Sequence, residues 1–115
     1  MKNKHKIKIE QFGPNHKIIR SEVGTYFVSF NSIIYFCSEI SGEQYLGRNW
    51  CLNNTTSKYR NKFLGETTQD AIDHIHNGHY KVVDLDNKEI MNKVVLGEIS
   101  NSDLLDTTFI NAKIY

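Results

Sequence analysis

The chain opens on alternation. In "KHKIKIEQF", Ile7 and Ile9 share one face and Lys4, Lys6 and Lys8 the other. Period two over that length predicts a half-buried strand, and lysines suit an edge because they discourage edge-to-edge aggregation. Phe12 falls out of register, so the strand ends or bulges before it. "FGPNH" is a turn, and "KIIRSEVG" carries the pattern of a second strand. "TYFVSFNSIIYFCSEI" is the strongest β segment and reads as a hairpin turning at Asn31-Ser32. That register sets Phe30 opposite Ile33, Val28 opposite Tyr35 and Tyr26 opposite Cys37. Phe27, Ile34 and Phe36 then line the other face. Both faces are apolar, which places the segment centrally, covered on both sides or at a domain contact. "QYLGRNWCL" after the "SGEQ" turn reads as another strand, with Trp50 at its end.

The period then changes. A helix is expected from about Thr56 to Leu64, stopping at Gly65, with Tyr59 and Phe63 on the docking face. A second starts at Thr67 or Thr68, with Asp70 placed for a capping box, and stops at Asn77-Gly78. "HYKVVDLDNKEIM" reads as strand, Asp86-Asn87 turn, strand, and "NKVVLGEIS" allows one more. "SNSDLLDTTFINAKIY" fits one helical turn capped by Ser102 and a returning strand. Strands, helices, strands in that order predict an α+β fold: a mainly antiparallel sheet with two short consecutive helices packed on one face.

Composition adds limits. A length of 115 residues gives one domain, 1–115, able to hold a core without disulfides or metal. No apolar run approaches the roughly 20 residues of a membrane span, and the basic N-terminus lacks the apolar segment of a secretory signal. Cys37 and Cys51 are isolated, so free thiols in the cytoplasm are expected. The net charge of +1 hides an asymmetry. Residues 1–63 hold ten Lys/Arg against four Asp/Glu, and residues 64–115 hold four against nine. Such a chain can offer one basic face to an anionic partner.

The candidate site follows from that face. Thr55, Thr56 and Ser57 fall at the first helix's N-terminus, where free N–H groups favour an anion, with Arg48 and Lys58 within reach. Lys62 shares a face with Lys58. Arg60 lies about 160° around the helix from Lys62, so the cations form no tight cluster. His74 and His76 point about 160° apart on a helix, against the i, i+4 spacing of a helical zinc pair, so neither metal nor cofactor is expected with His79. No nucleophile signature surrounds Cys37 or Cys51, no phosphate-binding glycine loop is present, and Asp84 and Asp86 read as solvated turn residues. Tyr35, Tyr45 and Trp50 are the aromatics considered for base stacking, with core packing the stronger use.

"FVSFNSIIYF" followed by "WCLNNTTSKYRNKFL" resembles a small domain of tailed phages and bacteria whose function is unassigned. That family has a strand with a Ser-aromatic-x-Thr-x-Val core. A helix follows that opens Thr-Thr-Ser, a basic residue, His, Ile, Asn, any residue, Phe-Leu. Ser29, Phe30, Thr55, Thr56, Ser57, Lys58, Asn61, Phe63 and Leu64 match. Tyr59 and Arg60 replace His-Ile, Ser32 replaces the strand Thr, and Ile34 its Val. The resemblance implies a strand running straight through Asn31-Ser32 and a phage or mobile-element source, hence the host cytoplasm. It implies no chemistry.

The expected function is therefore non-enzymatic binding of nucleic acid or another anionic partner through Arg48, Thr55, Thr56, Ser57, Lys58, Arg60 and Lys62. The alternative is a phage anti-defence inhibitor bound to a host protein such as a CRISPR or other immune nuclease. An apolar patch left exposed once the core is assigned would favour that alternative.

Overall fold

The computed structural model describes residues 7–107. It is an α+β fold whose six strands lie in the sheet in chain order. Strands β1 (Lys8–Gly13), β2 (His16–Arg20), β3 (Gly24–Ser29), β4 (Ser32–Ser38) and β5 (Gln44–Leu46) form an antiparallel meander. Helices α1 (Asn54–Leu64) and α2 (Thr68–His76) follow, and β6 (Tyr80–Val82) then joins β5 in parallel. A third helix, α3 (Lys88–Leu96), and a 3-10 turn at Asn101–Asp103 complete the described chain.

The two consecutive helices pack on one face. Ile18, Phe27, Ile34, Tyr35, Leu46 and Trp50 are buried there with Ala71 and Ile72 of α2, and Tyr59 and Phe63 of α1 pack against them. Phe27 and Phe63 stack with centroids 5.0 Å apart, and Phe12 meets Phe63 edge-on at 6.1 Å. On the opposite face α3 covers only part of the sheet, burying Phe36, Tyr45, Val83 and Leu85 against Val94.

The central hairpin turns one residue earlier than the sequence suggests. Phe30 and Asn31 form the turn with φ of 51° and 73°, and Ser29 pairs with Ser32. Two positive φ values give the turn a twist that matches its flanking strands. A bulge opposite Phe27 and Val28 adds a residue to β4, so Phe27 pairs with Tyr35 and Val28 with Ile33. Because a bulge leaves two adjacent residues on one side, Ile34 and Tyr35 both join the α1–α2 core. Tyr26, Ile33 and Phe36 take the other face. The straight strand implied by the phage-domain resemblance is absent from this segment. Next to the bulge β5 ends at a close approach: a Cβ on Gly47 would lie 2.1 Å from the Ile33 carbonyl oxygen.

Both expected helix starts form, α1 slightly earlier than expected. Asn53 caps α1 by accepting from the Thr56 N–H at 2.8 Å, and Gly65 closes it in the left-handed region at φ 69°. Thr67 and Asp70 make the reciprocal capping box of α2. The Thr67 N–H donates to the Asp70 carboxylate at 3.0 Å, which holds that carboxyl below its ordinary value of 3.8. A depressed carboxylate adds stability that is complete above the unfolded value and lost as pH falls through the folded one. The urea midpoint should therefore drop as pH falls from about 4 downward, and Asp70→Asn should remove part of that drop. Equal acid slopes for the two proteins would show that the box contributes nothing.

The expected strand–turn–strand at 80–91 is a correction. Only β6 forms; Asn87 then caps α3, accepting from the Glu89 and Ile90 N–H groups at 2.9 and 3.2 Å. Ile90 and Val94 are four apart on the buried side of that helix, and Met91 and Val95 extend the stripe. The further strand over "NKVVLGEIS" is thus the body of α3. The single turn near Ser102 is present, begun by a Ser100–Asp103 box rather than by Ser102. The returning strand expected in "FINAKIY" lies outside the described residues.

Candidate functional site

The helix start proposed for anions is largely internal. Thr56 is fully buried and its hydroxyl pairs with that of Ser29 at 3.0 Å, tying α1 to β3. Ser57 is 3% exposed, and its hydroxyl has no hydrogen-bond partner among the described residues. Thr55 is exposed. Arg48 is exposed and pairs with Asp84 at 3.3 Å.

Arg60 leaves the surface set altogether. It is 0% exposed, with its guanidinium 5.0 Å from the Trp50 ring centroid. It donates to the Trp50 carbonyl, to Asn61 Oδ1 at 2.7 Å and to Thr68 Oγ1 at 3.0 Å. The helical angle noted in the sequence explains this: the face opposite Lys62 points into the protein. Lys58 and Lys62 remain outside, their amines 5.7 Å from the Tyr59 ring and 5.6 Å from the Phe12 ring.

These rings lead to a pocket that the sequence did not single out. The β1–β2 and β3–β4 turns lie side by side, joined by the Phe30 N–H donating to the Asn15 carbonyl at 2.9 Å. Between them is a largely polar cavity of about 360 Å³ lined by Gln11, Asn15, His16, Lys17, Phe30 and Asn31. His16 is 0% exposed. Its ring stacks on Tyr59 at 4.2 Å and meets Phe30 edge-on at 5.4 Å. Nδ1 bonds the Pro14 carbonyl, while Nε2 has no partner among the described residues. A ring nitrogen facing a carbonyl carries the proton, so in the neutral ring Nε2 is left as a buried acceptor. His16 and Tyr59 thus link the cavity wall to the side of α1 that carries Lys58, while Lys17, next along β2, stands on the other face of the sheet.

Phe30 is the unusual member. It is 46% exposed and sits at φ 51°, where Cβ crowds the backbone. Asn15 and Asn31 also have positive φ, at 63° and 73°, but asparagine tolerates that region and a bulky aromatic does not.

Other clusters carry less. Glu66 Oε1 accepts from Tyr80 at 3.0 Å and lies 3.2 Å from His74 Nδ1, and the His74 and His79 rings are 5.2 Å apart. Burial and the Glu66 carboxylate push the Tyr80 hydroxyl well above its ordinary value. His76 is exposed, and no group of three potential metal ligands occurs among the described residues. Burial pushes the Cys51 thiol up, which makes it a poor nucleophile. Asp86 is anchored rather than free: its carboxylate accepts from the Ser32 hydroxyl at 2.6 Å and the Ile33 N–H at 2.8 Å. Tyr35, Tyr45 and Trp50 are all buried and offer no stacking face.

Among the described residues, no helix covers the part of the sheet beyond α3. Ile7 and Ile9 are 61% and 65% exposed, so their shared face is not the half-buried one that the alternation suggested. Ile7, Ile19, Tyr26, Val28 and Ile33 line an apolar groove of about 440 Å³ there. No helix among the described residues is long and apolar enough to cross a membrane.

Comparison with protein-family models, curated proteins and solved structures finds no match for this chain.

Proposed function

We propose that the protein is a non-enzymatic binding module for an anionic, single-stranded nucleic-acid segment, held where the hairpin tips meet α1. The observation that supports this most is the juxtaposition of an open polar pocket with an exposed aromatic and three lysines. Strand binding without sequence preference combines a basic track for phosphates with aromatic faces for bases. Lys58 and Lys62 supply the track beside α1, Lys17 a further phosphate contact at the pocket wall, and Phe30 the face. Arg60 has no part in it, and Arg48 is already paired with Asp84.

The test is titration of a short labelled DNA strand at several salt concentrations. Three lysine–phosphate contacts predict a slope of log K against log salt of about −2. Lys58→Glu with Lys62→Glu should remove most of that slope and the affinity, with unfolding unchanged because both side chains are exposed. No binding at low salt, or a slope unaffected by the two substitutions, would sink the reading.

The apolar groove favours a second reading, in which the protein docks on a partner protein. The uncovered β1–β3 width is two strand spacings, about 10 Å, which is the diameter of one helix. An apolar helix face of the partner, laid beside α3, is the occupant that fits. Ile19→Lys would abolish such a complex while leaving strand binding intact. Indifference of the complex to that change would dismiss this surface.

A further inference from the structure

We infer that Phe30 is a base-stacking platform, and that the pocket beside it takes a single unstacked nucleobase. This deepens the proposed strand binding and rests on it. Three observations converge. First, the backbone at Phe30 disfavours a phenylalanine, whose one ring contact among the described residues is edge-on to His16. Phe30 occupies a turn position with φ 51°, where asparagine or glycine is relaxed, and nearly half of its surface meets solvent. Backbone strain at a bulky residue persists only where the surroundings impose it, and such sites concentrate where ligands bind. Second, His16, a wall residue of the same pocket, is buried with Nε2 unpartnered among the described residues. A buried polar atom left unpaired is costly, which marks this wall as one that gains from a donor brought in by a ligand with a small shift of the ring. Third, the lining carries the amide side chains of Gln11, Asn15 and Asn31, which can donate to and accept from base edges. Lys17, at the pocket wall, suits the phosphate joining that base to the next.

The reading separates Phe30 from the lysines: the ring contacts the base, the amines contact phosphate. A strand with ordinary bases and a strand of the same length with abasic sugars carry the same phosphates. The native protein should bind the first about tenfold or more tightly, the range expected for stacking one base. Phe30→Asn should erase that preference and leave the salt slope unchanged. It should also raise the urea midpoint, because the turn relaxes. Phe30→Trp should keep the preference. If the native protein binds both strands equally and with the expected salt slope, the base platform is wrong and strand binding stands. If it binds neither, both readings fall. A Phe30→Asn protein that is less stable than the native one would show that the ring is retained for packing, and would overturn the inference.

Discussion

Arg60→Ala should cost about 4 kcal/mol, a large share of the roughly 5–15 kcal/mol that holds a domain folded. Three effects add. The buried Trp50 carbonyl loses a charged donor, and a buried acceptor without a partner costs about 1–3 kcal/mol. Asn61 Oδ1 and Thr68 Oγ1 lose one at part-buried positions, where Thr68 keeps the Asn61 amide as donor. The largest of the fully buried side chains is replaced by a methyl group, leaving a cavity. Burial weakens the guanidinium's hold on its proton and the Glu66 carboxylate partly offsets this, so the substitution takes a nearby positive charge from Glu66. Arg60→Met restores volume but not donors and should recover about half of the loss. Arg60→Lys should recover little, because an ammonium cannot reproduce a planar fork lying over Trp50. Urea unfolding followed by Trp50 fluorescence measures all three. A loss below about 1 kcal/mol for Arg60→Ala would mean that water replaces the guanidinium at those acceptors.

Phe27→Ala should be comparably damaging, at about 4 kcal/mol. Phe27 is 0% exposed and touches the rings of Phe12, His16 and Phe63 at 5.9, 6.0 and 5.0 Å. Removing it takes away the surface on which α1 sits and the packing beneath His16. Phe27→Leu retains most of the volume and should cost much less, about 1 kcal/mol. The two variants should also diverge in strand affinity measured under folding conditions. The leucine protein keeps the pocket, while the alanine protein loses binding in proportion to the fraction unfolded. Equal stability of the alanine and leucine variants would contradict the ring cluster as the anchor of α1.

The α+β architecture was legible because its strongest signals are local. Alternation marked β1, the Gly-Pro-Asn run marked the first turn, and Gly65 and the Thr67–Asp70 pair marked the α1–α2 junction. Tyr59 and Phe63 identified the docking side of α1 from spacing alone. Failures arose where tertiary context outweighed a local preference. The Val-Val pair at 94–95 and the Asp86-Asn87 step resemble strand and turn, yet Asn87 is a helix cap and the valines lie on a helical stripe. The hairpin register failed by one residue because Phe-Asn is a poor sequence signal for a turn with two positive φ values. The same error hid the candidate site. Placing the turn at Asn31-Ser32 left Phe30 inside a strand, where its backbone raises no question. His16 carried no signal beyond following Pro14-Asn15, since the Tyr59 that stacks on it is 43 residues away. Arg60 shows the limit of charge as a guide. Its angular separation from Lys62 was readable, but the burial to which that angle leads depends on Trp50 and Thr68.

The parallel addition of β6 has a consequence for self-association. β6 is only three residues long, and the Leu105 N–H donates to its Val82 carbonyl at 2.9 Å, occupying an acceptor on that flank of the sheet. Among the described residues β1, six residues long, is the other boundary of the sheet. A fibre needs two complementary open boundaries on every copy, whereas a two-fold pair consumes only one from each. A two-fold pairing of β1 with β1 of a second copy would therefore terminate at two molecules.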